Sequence, residues 1–412
     1  PIYTLHILRI STYPKIALLG ISLGSIAFNN MWDLPVFTAI FVGLTALKAY
    51  SLKKAGTWDA VRYTITISAA VIALAFVLFL PYYLHFSTQV SGISPVSGAT
   101  TQSIHMFIVW ALFLVTVSPF ILGVFWQTTV REDWAKLSLI SLFAGFLPYL
   151  LWAFLYLEEG GETTELVRRF MHILPFSLLI TIATYNSLWL IKERSPSSGK
   201  IFALILSATG LLLIMGPELL HIKDFFNTRM NTVFKLHYQS WILLSAASGF
   251  AIYYWYNLKG NLSGWKQALV SLWACTFIVL LVGSLYYPPA AVMNKSNSFS
   301  GKPTLDGLAY IKHDSRAMYN AINFALREIA HGSAILESVG EWGDAGLLSR
   351  STGIPTVLNW PGHELQWRGS NSKFEERGTD IETIYSTDDV YKAKELLDKY
   401  RVDYVFVGPR EK

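Results

Sequence analysis

Charge is scarce in this chain. Of 412 residues only 15% are charged, against 52% apolar and 15% aromatic, and the mean hydropathy is positive at +0.38. So small a charged fraction excludes an ordinary soluble enzyme of this length and leaves a membrane protein. Cysteine is scarcer still. The lone Cys275 lies in an apolar run, which excludes a disulfide framework and a cysteine-ligated metal. HExxH, GxSxG and CxxC are absent, as is any Ser/His/Asp order, so neither a zinc protease nor a serine hydrolase is expected. No signal peptide precedes Pro1, and the chain reads as a fragment or a processed product. The net charge of +5 is unevenly split: residues 288–412 carry 15 basic and 17 acidic side chains, the first 287 carry 18 and 11. The basic excess therefore belongs to the apolar part, where orientation in a bilayer accounts for it and nucleic acid is not an expected partner.

What is present is hydrocarbon. Nine apolar runs approach bilayer length: 14–32, 35–50, 62–85, 104–126, 137–157, 169–191, 201–217, 235–256 and 268–287. With a cytoplasmic start, one set of loops holds Arg9, Lys15, Lys48, Lys53, Lys54, Arg62, Arg131, Lys136, Lys192, Arg194, Lys200, Lys259 and Lys266. The opposite set holds Arg168, Arg169, Lys223, Arg229 and Lys235. Thirteen against five places the N-terminal end of this chain in the cytoplasm and everything after residue 287 outside. The fold class that follows is an α-helical multi-span membrane bundle of about nine spans (1–287) and a Pro/Ser/Asn linker (288–303). A small extracytoplasmic α/β domain (304–412) completes it. In that domain SRAMYNAINFALREIA and DDVYKAKELLDKY have helical spacing, SAILES reads as a strand, and VDYVFVG reads as a buried strand ending at Gly408.

Four polar stretches stand against this background, all on the predicted outer side. FNNMWDLP (28–35) sets Asp33 beside apolar sequence, as a base, a metal ligand or simply a cap before Pro35. HIKDFFNTRMNTVFK (221–235) follows Glu218 and contains His221, Asp224, Arg229 and Lys235. Its net positive charge at an outer boundary suits an anion such as a lipid phosphate, or else anchors a re-entrant loop by snorkelling. LESVGEWGDAGLLSRSTGIPTVLNW (336–360) is glycine-rich but is neither a Walker loop nor a dinucleotide fingerprint. NWPGHELQWRGS (359–370) packs Trp360, His363, Glu364, Trp367 and Arg368 into a glycine-bounded loop. Aromatic faces with polar groups suit a sugar ring, and the same tryptophans suit a membrane interface.

WDLP, RMNTVFKLHYQSW (229–241), TGIPTVLNWPGHELQWRG (352–369) and YRVDYVFVG (400–408), taken together, resemble the YYY membrane protein family of archaea, Chloroflexi and related bacteria. That family is similar in layout to the GT-C glycosyltransferases, which join a multi-span bundle to an extracytoplasmic α/β domain and use polyprenyl-phosphate-linked sugars. Family members carry an N-terminal half with further spans and a Tyr-Tyr-Tyr stretch. Here YY occurs at 82–83, 253–254 and 286–287 and no triplet does. The resemblance therefore implies a C-terminal portion whose partner is the N-terminal portion of the same architecture, and whose main catalytic acid belongs to that missing half. It implies transfer of a sugar from a polyprenyl-phosphate donor in the lipid bilayer to a glycan or protein acceptor. Arg229, Lys235 and His221 would bind lipid phosphate, and His363, Glu364, Arg368, Trp360 and Trp367 would bind sugar or acceptor. Asp33, Glu218 and Asp224 would be the acids, with a divalent metal (Mg or Mn) as the one implied cofactor. The rival expectation is a non-catalytic membrane protein, either a transporter of lipid-linked glycan or a scaffold subunit. A carrier would bury polar groups at mid-span, whereas the polar clusters here gather on one side.

Overall fold

A computed structural model describes residues 13–51, 57–86, 90–128, 134–193, 197–224, 226–260, 262–368 and 372–412. Of the loop cations that set the expected orientation, Arg9, Lys53, Lys54, Arg131 and Arg194 lie outside the described residues. The chain divides into two compact units. One comprises residues up to Phe86 with Val90–Ala290, the other Ala291–Lys412.

The first unit is helical. In order it contains α1 (Tyr13–Asn29), α2 (Leu34–Ser51), α3 (Thr57–Leu78), α4 (Leu80–His85), β1 (Gly92–Pro95), α5 (Ser103–Phe125) and α6 (Trp134–Glu158). It continues with α7 (Thr163–Lys192), α8 (Ser198–Leu219), β2 (Leu220–Lys223), α9 (Met230–Lys259) and α10 (Trp265–Lys295). Among the described residues six helices are long and apolar enough to cross a bilayer: α3, α5, α6, α7, α8 and α10. The other three expected spans are helices that fall short. α1 has 17 residues, the apolar stretch of α2 covers Leu34–Ala49, and α9 interleaves its apolar residues with Asn, His, Gln, Tyr and Trp. A helical membrane bundle stands, with six spans by length and hydropathy where the sequence suggested nine.

Its core is built from α5 to α9 around the fully buried Phe120, Trp152, Ile173, Leu204, Leu211, Ile214, Met215 and Leu244. A separate cluster joins α1 to α3 through Ile16, Leu23, Ile67, Val71 and Ala75. Close approach depends on small residues: a Cβ on Gly145 of α6 would lie 2.6 Å from the Ser177 carbonyl of α7, so α6 and α7 meet backbone to backbone. Prolines sit inside α5, α6, α7 and α8. Each removes an amide donor and frees the carbonyl four residues earlier, which needs a partner in hydrocarbon. In α5 the carbonyl freed by Pro119 belongs to Val115, and Trp273 Nε1 of α10 donates to it at 2.7 Å.

The second unit holds α11 (Ala309–Asp314), α12 (Arg316–Glu328), β3 (Ile335–Leu336), α13 (Leu347–Thr352), α14 (Pro361–Arg368), α15 (Ser372–Ser386), α16 (Val390–Lys399) and β4 (Tyr404–Val405). The expected linker begins later than its composition suggests, because α10 runs through Pro288 and Pro289 to Lys295. The two expected helices are present. The sheet is slight: β3 and β4 pair in parallel over two residues, with one further bridge from Ile335 to Thr356. The unit is therefore mainly helical, and a full α/β layer is not formed. β3 falls within the expected strand and is buried, Ile335 entering one core cluster and Leu336 the other, the two-faced alternation of a strand. β4 is exposed at both residues, correcting the expectation of a buried strand. Asp389 caps α16 by accepting from the amides of Tyr391 and Lys392.

Candidate functional site

Glu218 is the centre of the polar structure in the first unit. It stands next to Pro217 at the end of α8, with 1% of its side chain exposed. A carboxylate so buried needs donors on both oxygens. Thr101 gives its backbone amide to Oε2 at 2.8 Å and its hydroxyl to Oε1 at 2.6 Å. Arg229 donates Nη1 to Oε1 at 2.7 Å. His172 Nε2 lies 3.3 Å from Oε2, outside hydrogen-bond geometry.

Arg169 of α7 ties this carboxylate to the segment that covers it. Its side chain is 0% exposed. Nη1 donates to the Glu218 carbonyl at 2.6 Å, and Nη2 to the carbonyls of Gly98 at 2.9 Å and Val96 at 3.3 Å. Its charge is met by Glu165 Oε1, 2.8 Å from Nη2, one turn back along α7. The guanidinium lies 5.2 Å from the ring centre of Trp152, whose Nε1 also donates to Val96 O. Non-helical backbone at the edge of a bilayer must have its carbonyls satisfied from within the protein. Here one arginine does this for the carbonyls of Val96 and Gly98, while β1 pairs antiparallel with β2 from Gly92↔Lys223 to Pro95↔Leu220.

The predicted residues fall in different places. Arg229 is the N-cap residue of α9, with no side-chain cap, and joins Glu218. Beyond Nη1 it places Nη2 3.2 Å from the Thr101 hydroxyl, and 21% of its side chain remains exposed. Lys235 lies farther along α9, with Nζ 5.9 Å from the ring centre of Phe234. His221 is on β2 opposite Ser94, and neither of its ring nitrogens meets a partner among the described residues. Asp224 shapes the turn into α9, accepting from the Phe226 amide at 3.0 Å and from Asn231 Nδ2 at 2.6 Å. Asp33 is apart from that cluster. It accepts from Asn30 at 3.0 Å and from Gln239 of α9 at 2.7 Å, clasping the α1–α2 turn to α9.

In the second unit Trp360 and His363 form an aromatic group with Trp342, and Arg350 lies over the Trp360 ring. Glu364 is in the first turn of α14, while the side chains of Trp367 and Arg368 are outside the described set. Thr101, Arg169, His172 and Trp342 are additions to the expected residues. Arg169 and His172 are three apart on one helix face, a readable signal. Thr101 carries none in a Gly/Ser/Thr stretch. Among the described residues no group of three or more His, Cys, Asp or Glu could hold a metal, so the carboxylates serve hydrogen bonds and no step is assigned to Mg or Mn.

A family model described as uncharacterized membrane protein (DUF2298) matches residues 6–244, from before α1 into α9 and so across the Glu218 network. No curated protein and no solved structure matches the chain.

Proposed function

From the premise that this chain belongs to the uncharacterized membrane protein (DUF2298) family, we propose that it is a glycosyltransferase-like membrane protein. It transfers a sugar from a polyprenyl-phosphate-linked donor to an extracytoplasmic glycan or protein acceptor. The observation that carries this reading is the way Arg229 is held. Glu218 and Thr101 engage Nη1 and one side of Nη2, leaving Nε–H and one Nη2–H with no protein acceptor among the described residues. Those two N–H groups form the parallel fork that fits two oxygens of a phosphate. Lys235 is six residues on, about 9 Å along the helix axis, and supplies a second positive charge toward the chain of the lipid. Phe234 and Tyr238, exposed on the same helix, offer apolar contact to an isoprenoid.

In this reading the cations stabilise lipid phosphate as it leaves the sugar. Glu218 is a positioning residue, its oxygens committed to Thr101 and Arg229. In the same reading Asp224, half-buried beside the helix start, takes the proton of the acceptor hydroxyl, giving up a hydrogen bond from Asn231 or from the Phe226 amide. The YYY and GT-C resemblance, nine crossings, a cytoplasmic N-terminal end and sugar contacts by Glu364, Trp367 and Arg368 belong to the same proposal. The test is binding of a polyprenyl-phosphate analogue in detergent, at matched folded fraction. Arg229→Lys keeps the charge but loses the fork, and affinity should fall about tenfold. Lys235→Ala should weaken binding less. Unchanged affinity in both variants overturns the reading.

A further inference from the structure

Trp342 is an exposed aromatic residue that the Glu218 network does not involve. It is 60% exposed, and its ring lies against two others. Trp360 lies 4.9 Å away at a 38° tilt, and His363 lies 5.2 Å away edge-on. Trp360 and His363 are themselves 5.3 Å apart, also edge-on. The group is clamped from outside the rings as well. Trp360 Nε1 donates to Ala345 O at 3.0 Å, and the Glu341 carboxylate accepts from the Gly362 amide at the start of α14. The loop that presents Trp342 adopts left-handed backbone at Trp342 (φ 57), Gly343 (φ 59) and Gly346 (φ 65). Glycine accepts that conformation readily and a bulky L side chain does not. At Gly346 a Cβ would collide with the Asn359 amide group. A tryptophan in an unfavourable conformation, not compensated by burial, points to a ligand.

We propose that Trp342 is the stacking platform of a carbohydrate site on the second unit, taking one pyranose ring by its apolar C–H face. The ring π-face is electron-rich and meets the weakly positive C–H bonds. Its neighbours already fix its rotamer, so little freedom is lost on binding. Glu341, Asp344 and Arg350 are exposed in the same loop and at its far end, where carboxylates accept from sugar hydroxyls and a guanidinium donates. Two acidic residues within two positions of it oppose anionic lipid and favour a neutral, hydroxyl-rich ligand. The assignment of this sugar as donor or acceptor rests on the glycosyltransferase reading; the site itself does not.

The experiment uses the full chain in detergent and three neutral pentasaccharides with gluco, manno and galacto configurations, followed by saturation-transfer NMR. At least one should show saturation concentrated on the C–H protons of one ring face. Trp342→Ala should weaken it about tenfold and Trp342→Phe distinctly less, with melting unchanged because the ring is exposed. Arg229→Lys should bind the sugar as wild type does, so a failure of the lipid-phosphate reading is seen separately. Equal affinity in Trp342→Ala and wild type, or no saturation of any of the three by wild type, overturns the proposal.

Discussion

Two ion-pair networks, one in each unit, use the same residue types to different ends. In the first, Glu218 and Arg169 are withdrawn from water and, with Glu165 and the partly exposed Arg229, meet carbonyls, hydroxyls and one another. In the second, Asp380 accepts from Lys399 Nζ at 2.7 Å and Tyr400 at 2.6 Å, while Glu376 shares the same lysine at 2.5 Å, and both Lys399 and Glu376 are exposed to water. Removing a partner from the first leaves an uncompensated charge where water cannot reach it; in the second, solvent replaces what is lost. The comparison teaches that burial decides whether a charge is framework or trimming. A count of salt bridges would rank the two networks alike.

The hardest blow to the first network is Arg169→Met. It takes a donor from Glu165 Oε1 and from the carbonyls of Gly98 and Glu218, and should cost about 3–5 kcal/mol, read as a large drop in melting temperature in detergent. Arg168 is its control: next in sequence and bound to the same Glu165, but 62% exposed. Arg168→Ala should leave melting unchanged, and equal effects at 168 and 169 would erase the contrast. Thr101→Val removes one hydroxyl donor from Glu218 at nearly constant shape and should cost about 1–2 kcal/mol in the same melt. In the second unit Asp389→Ala removes the cap of α16, at about 1 kcal/mol, seen as faster amide exchange at Tyr391 and Lys392.

The smallest effect is the pH response of Asp380. Hydrogen bonds from Lys399 and Tyr400 hold its carboxyl below the usual carboxylate range. A depressed folded-state value adds stability that is present above the ordinary carboxylate pKa and is lost as pH falls through the depressed one. The second unit should therefore melt slightly lower as pH drops below about 4, and Asp380→Asn should remove that slope. Solvent screening keeps it modest, and a large slope would mean that this network is less open than its exposure implies.

Much of the bundle was legible because hydropathy and helix length are the same signal. The helices of α5, α6, α7 and α8 begin and end within a few residues of their expected spans. What composition could not show was the cost of interrupting them. The run from Thr57 breaks near Pro81 into α4, and the Pro/Ser/Asn linker is helical to Lys295 because two adjacent prolines can sit in a helix whose freed carbonyls meet other donors or solvent. Of the site, Glu218 and Arg229 were visible as charges beside hydrocarbon, and their eleven-residue separation gave no hint of a salt bridge. Thr101 is 117 residues from Glu218, a distance that no local pattern spans. Arg169 shows in the sequence as a loop cation, with Glu158, Glu159, Glu162 and Glu165 close before it as acidic partners. Glu165 is one of those partners, but the carbonyls of Val96, Gly98 and Glu218 are side-chain contacts that only the folded chain creates. Trp342 was hidden in a glycine-rich stretch judged for phosphate loops, where its backbone conformation could not be read.

In the proposed reading the buried Glu218 carboxylate aims Arg229 at lipid phosphate. The direct measurement is the affinity of a polyprenyl-phosphate analogue for Glu218→Gln, in detergent at matched folded fraction. Glutamine keeps the size of the side chain and loses the charge that fixes the guanidinium. The account predicts a loss comparable to that of Arg229→Lys, and no further loss when the two changes are combined, because both act on one fork. Wild-type affinity in Glu218→Gln would contradict it and leave Glu218 as a structural plug at the end of α8.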